Sequence, residues 1–192
     1  MIVLGFTGTF AAGKDTAIAI IAKKLGDKAF EISTSDLVRE ETTRRGLSLE
    51  RENLRFVSND MRQKHGVGIF GKISVERINA QRAKKIVLVS GIRTTGEIEE
   101  LRKAFGKDFH LIAVDAPIEI RYTRIKQRSR AGENVLSFEE FKQSEEREMK
   151  GAEGAHSQNI AATMKMADYT LQNNGSTSQL EKKIAVILKK FN

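Results

Sequence analysis

The chain has 192 residues, a length that suits one domain with a sizeable hydrophobic core. Hydrophobic residues make up 40% of it and charged residues 30%, which excludes a disordered chain and predicts a globular one. The sequence contains no cysteine, which excludes disulfides and thiolate metal sites. Because it also lacks a leader-like segment and a membrane-spanning apolar run, we expect a cytoplasmic protein without a membrane partner. The formal net charge of +8 indicates anionic partners, either nucleic acid or phosphorylated small molecules.

Apolar residues follow two alternating periods along the chain. The apolar run at residues 2–6 predicts a buried parallel strand, and the helical stripe that follows it ends at Gly26. The other predicted strands lie at residues 29–32, 86–89, 111–114 and 169–171. Predicted helices separate these strands, so the pattern predicts an α/β sandwich in which crossover helices join five parallel strands.

Two stretches do not fit this alternation, and we interpret them as insertions into a single domain that comprises residues 1–192. Residues 36–83 have a helical pattern and are strongly charged, with Gly46 and Gly66 as breaks. Residues 128–156 combine many charges with glycines. The first stretch is a candidate acceptor-binding insert and the second a candidate lid.

A glycine-bounded loop joins the first predicted strand to the first predicted helix. Its glycines allow the backbone to curl with the amide groups inward, and the helix behind it adds the positive end of its dipole. Lys14 brings a positive charge to the β- and γ-phosphates of ATP, and the hydroxyl of Thr16 can meet phosphate or Mg²⁺. Asp15 separates these two residues, whereas the Walker A pattern has its hydroxyl residue directly after the lysine. The loop residues predicted to bind ATP are Gly8, Phe10, Ala11, Ala12, Gly13, Lys14, Asp15 and Thr16.

With this loop in place, other segments resemble adenylate kinase and its relatives. Residues 34–39 resemble the segment that holds the acceptor monophosphate, and residues 91–93 resemble the turn that carries the second acceptor arginine. The acceptor-binding residues that this resemblance implies are Thr34, Asp36, Arg39, Gly91 and Arg93. Asp36 keeps an alternative interpretation, as the cap of the helix that begins there.

The donor side of the resemblance lies in the second half of the chain. Residues 124–128 resemble the start of the lid, where one arginine covers the adenine of ATP and another grips the transferring phosphate. Residues 167–176 resemble the stretch near the adenine base in dephospho-CoA kinases, which implies that Asn174 and Gly175 contact ATP. The implied catalytic residues are Lys14, Arg93, Arg124 and Arg128. We interpret Arg121 and Arg130 as solvated.

The whole chain most resembles the archaeal adenylate-kinase-related proteins, a nucleotide-kinase-like group. This resemblance implies a three-layer P-loop sandwich with an acceptor insert at 36–83 and a lid at 128–156. It also implies an ATP-dependent phosphotransferase that uses Mg²⁺ and phosphorylates a nucleoside or deoxynucleoside monophosphate. We expect the lid to be open or mobile until ATP and acceptor bind together, because closure excludes water.

Two alternatives remain open, a dephospho-CoA kinase and a nucleotide-switched ATPase that binds RNA or protein. A kinase needs Arg39 and Arg93 to converge on one phosphate, whereas a switch would spread its basic residues over an outer face. The paired arginines favour the kinase.

Ser90 is a departure from the pattern of these relatives, in which the third strand ends in an aspartate that organises water around Mg²⁺. A serine hydroxyl can order such a water but brings no negative charge. We therefore predict metal contacts from Thr16 and, through water, from Ser90. Asp36 and Asp115 are the candidates to supply the missing carboxylate.

Overall fold

The structure is a computed structural model that describes residues 1–81, 84–128, 137–150 and 156–191. Its sheet has five strands, which are Ile2–Gly8 (β1), Ala29–Ser33 (β2), Ile86–Ser90 (β3), Phe109–Asp115 (β4) and Tyr169–Gln172 (β5). The strand order is β2-β3-β1-β4-β5, and every neighbouring pair is parallel. The predicted five-stranded parallel sheet is confirmed.

Helices connect the strands, as crossover connections between parallel strands require. Their bounds are Lys14–Leu25 (α1), Thr34–Arg44 (α2), Arg51–His65 (α3), Ile69–Asn79 (α4), Thr95–Phe105 (α5), Ile118–Arg128 (α6), Phe138–Lys150 (α7), Ile160–Lys165 (α8) and Thr177–Leu188 (α9). None of the helices in the described ranges is long and apolar enough to span a bilayer.

The sheet is buried on both faces because helices cover each side, and alternate side chains of each strand point into the two resulting cores. Leu4 and Phe6 of β1 pack in one core with residues of α1 and α9. Val3 of β1 packs in the other core with Ile78 of α4 and Leu101 of α5. This arrangement is a three-layer α/β sandwich, as the sequence predicts.

The charged stretch predicted at 36–83 consists of helices α2, α3 and α4 over its described part. Of these, α4 lies tightly against α5 of the sandwich. A Cβ atom at Gly71 would stand 2.8 Å from the carbonyl oxygen of Glu97, so the two helices approach as closely as glycine allows. The end of the predicted insert, at residues 82–83, lies outside the described residues, and its boundaries stay a prediction.

The predicted lid is described only in part, since residues 129–136 and 151–155 lie outside the described ranges. The described part is α7, which begins after a capping residue. The Ser137 hydroxyl accepts the backbone N–H of Glu140 at 3.2 Å, and the Glu140 carboxylate accepts the backbone N–H of Ser137 at 2.7 Å. These reciprocal bonds define where the helix begins.

Candidate functional site

The glycine-bounded loop connects β1 to α1 and has the curled backbone that phosphate binding needs. Ala11 and Gly13 have positive φ angles, 60° and 94°. Glycine is required at position 13 for a second reason, because a Cβ atom there would lie 2.4 Å from Nδ2 of Asn173. Ala12 is fully buried, so its side chain fixes the loop against the protein interior.

Lys14 is the first residue of α1, and its side chain turns back over the loop. Its Nζ donates to the carbonyl oxygens of Gly8 at 2.9 Å and Thr9 at 2.8 Å. Burial, followed by the nearby Arg93 cation, lowers the pKa of Lys14 to about 8. A phosphate beside Nζ would favour its charged form, so this lysine is poised to gain from an anionic ligand.

Arg124 of α6 connects the loop to the end of β5. Its Nη1 donates to the carbonyl oxygen of Ala12 at 3.2 Å, and its Nη2 donates to that of Asn173 at 2.8 Å. Asn173 in turn donates from Nδ2 to the Ala12 oxygen at 2.8 Å. Asn174 and Gly175, the predicted adenine contacts, follow as exposed residues. Asn173 itself is the buried residue that touches the loop; the sequence prediction placed it in the 167–176 segment but assigned it no contact.

The prediction that Arg121 is solvated is wrong. This residue is 5% exposed, and it donates from Nε to Ala116 O at 2.7 Å and from Nη1 to Phe10 O at 3.3 Å. Its three-residue spacing from Arg124 puts both on the helix face that meets the loop. The side chain of Arg128, and all of Arg130, lie outside the described residues, so their predicted roles have no structural counterpart here.

Helix α7 lies against the loop and covers it. The ring of Phe141 is 6.3 Å from the half-exposed ring of Phe10, and Glu145 forms an ion pair with Arg121. In this structure α7 packs against the loop, and the expectation that the lid is open or mobile without ligand stays a prediction. The predicted gain of amide protection on ligand binding stays a prediction.

Arg93 lies just after the carboxyl end of β3, where open parallel sheets bind ligands. Its Nη1 donates to Oε1 of Gln158 at 2.7 Å, and its backbone N–H donates to Oε2 of Glu97 at 2.7 Å. Burial lowers the pKa of the Arg93 guanidinium. The Arg93 residue remains partly exposed to solvent.

The segment at 34–39 is joined to the turn after β3. The Thr34 hydroxyl donates to the carbonyl oxygen of Gly91 at 2.7 Å. The cap of α2 is Ser33, not Asp36, because the Ser33 hydroxyl accepts the Asp36 backbone N–H at 3.2 Å. The Asp36 carboxylate instead pairs with Arg39 at 2.7 Å, and the Arg39 side chain is 50% exposed. Arg39 thus bonds to Asp36 whereas Arg93 bonds to Gln158, and the convergence of the two arginines on one phosphate stays a prediction.

Ser90 is buried at the end of β3, and it interacts with a carboxylate that the sequence prediction missed, that of Glu31. Burial raises the pKa of Glu31, the Ser90 hydroxyl lowers it, and the charges of Asp15 and Asp36 raise it. Glu31 therefore lies close to Ser90 on the neighbouring strand. Asp115, one of the predicted substitutes, accepts the Thr9 hydroxyl at 2.9 Å instead.

The donor set suits Mg²⁺ that arrives with ATP. Within the parts of the chain that the structure describes, no group of three or more His, Cys, Asp or Glu residues could hold a metal by itself. Phosphotransferases hold Mg²⁺ through substrate phosphates with few protein oxygens. Thr16, Ser90 and Glu31 offer such oxygens near the loop, which fits this mode of binding.

Comparison with known proteins gives a consistent family. Residues 7–142 match a family model described as an AAA domain. A protein named UPF0200/UPF0201 from Archaeoglobus fulgidus is 39% identical over 192 residues, which cover 100% of this chain and 56% of that protein. The chain thus spans little more than half the length of that relative. A UPF0200 protein from Thermococcus onnurineus is 32% identical over 187 residues, which cover 96% of this chain and 95% of the relative.

Solved structures show the same architecture. The shikimate kinase from Acinetobacter baumannii, solved in complex with shikimate, superposes with a TM-score of 0.58 over 99% of this chain and 94% of the other. The two sequences are 19% identical, so the likeness shows the fold alone. That fold is the P-loop kinase fold, as the sequence predicts.

Proposed function

This chain belongs to the UPF0200 family and, over residues 7–142, to the AAA-domain family, and we propose that it is an ATP-dependent phosphotransferase. Its acceptor carries a phosphate group and is most simply a nucleoside or deoxynucleoside monophosphate. The fold and the loop support the part of this proposal that concerns ATP, the phosphoryl donor. The acceptor half is supported by the turn after β3.

The observation that carries the proposal is the closeness of Lys14 and Arg93. The first belongs to the phosphate loop and the second to the turn that resembles an acceptor site. The Arg93 cation is near enough to lower the pKa of Lys14. Glu148 acts on both cations but is paired with Arg51, and anionic phosphates placed between Lys14 and Arg93 would relieve their repulsion. Phosphoryl transfer needs such a pair, with one cation for the donor and one for the acceptor.

These residues then have separate roles in the in-line transfer of the phosphoryl group. The loop amides and Lys14 hold the β- and γ-phosphates, and Arg93 orients the acceptor so that its phosphate oxygen attacks the γ-phosphorus. The bond from the γ-phosphorus to the bridging oxygen breaks, and ADP leaves with that electron pair. Mg²⁺ bound with ATP would neutralise charge on the phosphate oxygens. Helix α7 covers the loop and keeps water from competing with the acceptor.

An acceptor screen tests this proposal. The full chain would be incubated with ATP and Mg²⁺ and, one at a time, with ribo- and deoxyribonucleoside monophosphates and dephospho-CoA, while ADP formation is followed. We expect ADP formation to rise at least tenfold over the acceptor-free rate with one or more monophosphates. The same dependence on dephospho-CoA alone would replace the acceptor in the proposal. ADP formation that no acceptor increases would contradict the kinase and support a nucleotide-switched ATPase.

A further inference from the structure

Arg62, on α3, is a buried cation whose hydrogen bonds are incomplete. The residue is 2% exposed, and its Nη2 donates to Oε1 of Glu97 at 3.2 Å. Its Nε and Nη1 atoms are buried and have no hydrogen-bond partner among the described residues. A guanidinium has five N–H donors, and each buried donor without an acceptor destabilises the fold. Arg62 therefore has buried N–H donors for which the described residues offer no acceptor.

Glu97 connects Arg62 to Arg93. Its side chain is fully buried, and its second oxygen, Oε2, accepts the backbone N–H groups of Arg93 at 2.7 Å and Thr94 at 3.3 Å. One carboxylate thus bonds the Arg62 guanidinium on one oxygen and the Arg93 main chain on the other. The ring of Phe70 lies 5.1 Å from the Arg62 guanidinium carbon and covers its face, but a ring face accepts no conventional hydrogen bond from the orphaned edge.

The charges around Arg93 do not balance. The cations of Arg62 and Arg51 lie close enough to Arg93 to act on it, as do the carboxylates of Glu148 and Glu97. Three arginines therefore face two carboxylates. Glu148 is moreover engaged with Arg51 at 3.1 Å, which leaves Glu97 between the two remaining arginines. A surplus positive charge on buried and partly buried groups favours an anionic ligand.

We propose that Arg62 and Arg93 together form the binding site for the phosphate group of the acceptor. This inference rests on the proposed function and deepens it, because it assigns the acceptor group to two named arginines. A phosphate has three acceptor oxygens, which match the orphaned N–H groups of Arg62 and the guanidinium of Arg93. The orphaned atoms are covered in this structure, so the Arg62 guanidinium moves towards Arg93 when phosphate binds. Glu97 keeps its bonds to the main chain during that movement.

Inorganic phosphate is the probe for this site, and ADP in excess keeps it out of the loop. Phosphate affinity of the ADP-loaded chain would be measured by titration calorimetry, with acetate as the comparison anion. Arg62→Met is expected to weaken phosphate binding by about tenfold or more, since it removes charge-assisted hydrogen bonds. ADP affinity should change by less than about twofold. Arg77→Met is the matched control, because Arg77 lies on α4 with a half-exposed side chain paired to Glu40.

Arg62→Met leaves the buried Glu97 carboxylate without its cation, which can prevent folding. A second variant covers that case. Arg62→Met combined with Glu97→Gln removes both charges of the pair, and glutamine still caps α5. The same loss of phosphate affinity is expected. The assignment is overturned by undiminished phosphate binding in the folded Arg62 variant, by an equal loss in Arg77→Met, or by acetate binding the wild type as tightly as phosphate.

These outcomes separate the inference from the proposed function, because phosphate binding is measured without turnover. An Arg62-dependent phosphate site in a chain that phosphorylates no acceptor would overturn the proposed function alone. Transfer to a monophosphate with phosphate affinity independent of Arg62 would overturn the anion site alone.

Discussion

The donor half and the acceptor half of the site are held by different kinds of contact. Around the loop, side chains bond to main-chain oxygens, as Lys14 does to Gly8 and Arg124 and Asn173 do to Ala12. On helices α2 to α4, charged side chains bond mostly to one another, as Arg39 does to the exposed Asp36. Main-chain contacts hold a shape that is ready before the ligand arrives, whereas exchangeable ion pairs can be replaced by ligand phosphate. Under the proposed function, this difference corresponds to a preformed ATP site beside an acceptor site that the acceptor completes.

The largest expected effect is at the donor half. Lys14→Ala should lower phosphoryl transfer by about 100- to 1,000-fold or more, because it removes the charge that meets the transferring phosphate. The variant should unfold at the same temperature as the wild type or higher, since a desolvated cation beside Arg93 is removed. Rates and unfolding temperature would be compared with those of Lys23→Ala, an exposed lysine on the same helix. Full activity in a folded Lys14→Ala protein would show that the loop is not the ATP site.

A smaller and more selective loss is expected at the acceptor half. Arg93→Ala and Arg39→Ala should each lower kcat/KM for the acceptor by on the order of 10- to 100-fold, while ATP affinity is retained. Arg44→Ala is the control, since Arg44 is largely exposed and pairs with Glu41 one turn away. The measurements are steady-state kinetics with varied acceptor and a separate ATP titration. If ATP affinity falls while acceptor dependence stays normal, these arginines belong to the donor half and the comparison fails.

Glu31 lies on β2, the strand beside β3 and Ser90, and its removal should have an intermediate effect. Glu31→Gln is expected to lower Mg²⁺-dependent turnover by about tenfold, because it removes the carboxylate beside Ser90. Ser90→Asp, introduced into that variant, should restore turnover by returning a carboxylate to the position that related kinases use. Glu181→Gln, at an exposed position on α9, is the control. Turnover that is unchanged in Glu31→Gln, measured across Mg²⁺ concentrations, would mean that another oxygen supports the metal.

The smallest predicted effect is a pH dependence of nucleotide binding. The pKa of Lys14 is lowered to about 8 in the folded chain, from 10.5. The free protein therefore loses this proton as the pH rises through 8, whereas bound phosphate retains it. ADP affinity should fall by about fivefold between pH 8 and pH 9, and Lys14→Met should abolish that slope. Stability of the free protein should rise with pH between 8 and 10.5, since there the unfolded chain binds more protons. An ADP affinity that is flat over this range would contradict the assigned environment of Lys14.

The same division explains what could be predicted from the sequence. The strands and the loop could be predicted because their signals are contiguous. A buried strand, a curled turn and the lysine that follows occupy one short stretch of sequence. Asn173, Arg121 and Arg62 bond to residues far away in the sequence, namely Ala12, Phe10 and Glu97. No periodicity marks such a contact. Glu31 was not predicted for a related reason. It lies near Ser90 only because β2 and β3 are neighbours in the sheet.

Arg121 shows how a charge pattern misleads. In a chain with a net charge of +8, an arginine on a charged helix is expected to be solvated. Its burial follows from the packing of α6 against the loop and of α7 over both, and the pattern of α6 alone contains neither contact. The role predicted for Arg39 is tested by the acceptor kinetics above, and the roles predicted for Arg128, Asn174 and Gly175 stay predictions.

The fate of the γ-phosphoryl group tests the central claim most directly. The full chain would be given ATP labelled in the γ-phosphate, Mg²⁺ and a nucleoside monophosphate, and the labelled products would be separated and counted. The account predicts that the label appears in the nucleoside diphosphate formed from the acceptor, and that Arg93→Ala diverts it to inorganic phosphate or stops its release. Label found in inorganic phosphate alone, at the same rate with every acceptor and without one, would contradict phosphoryl transfer.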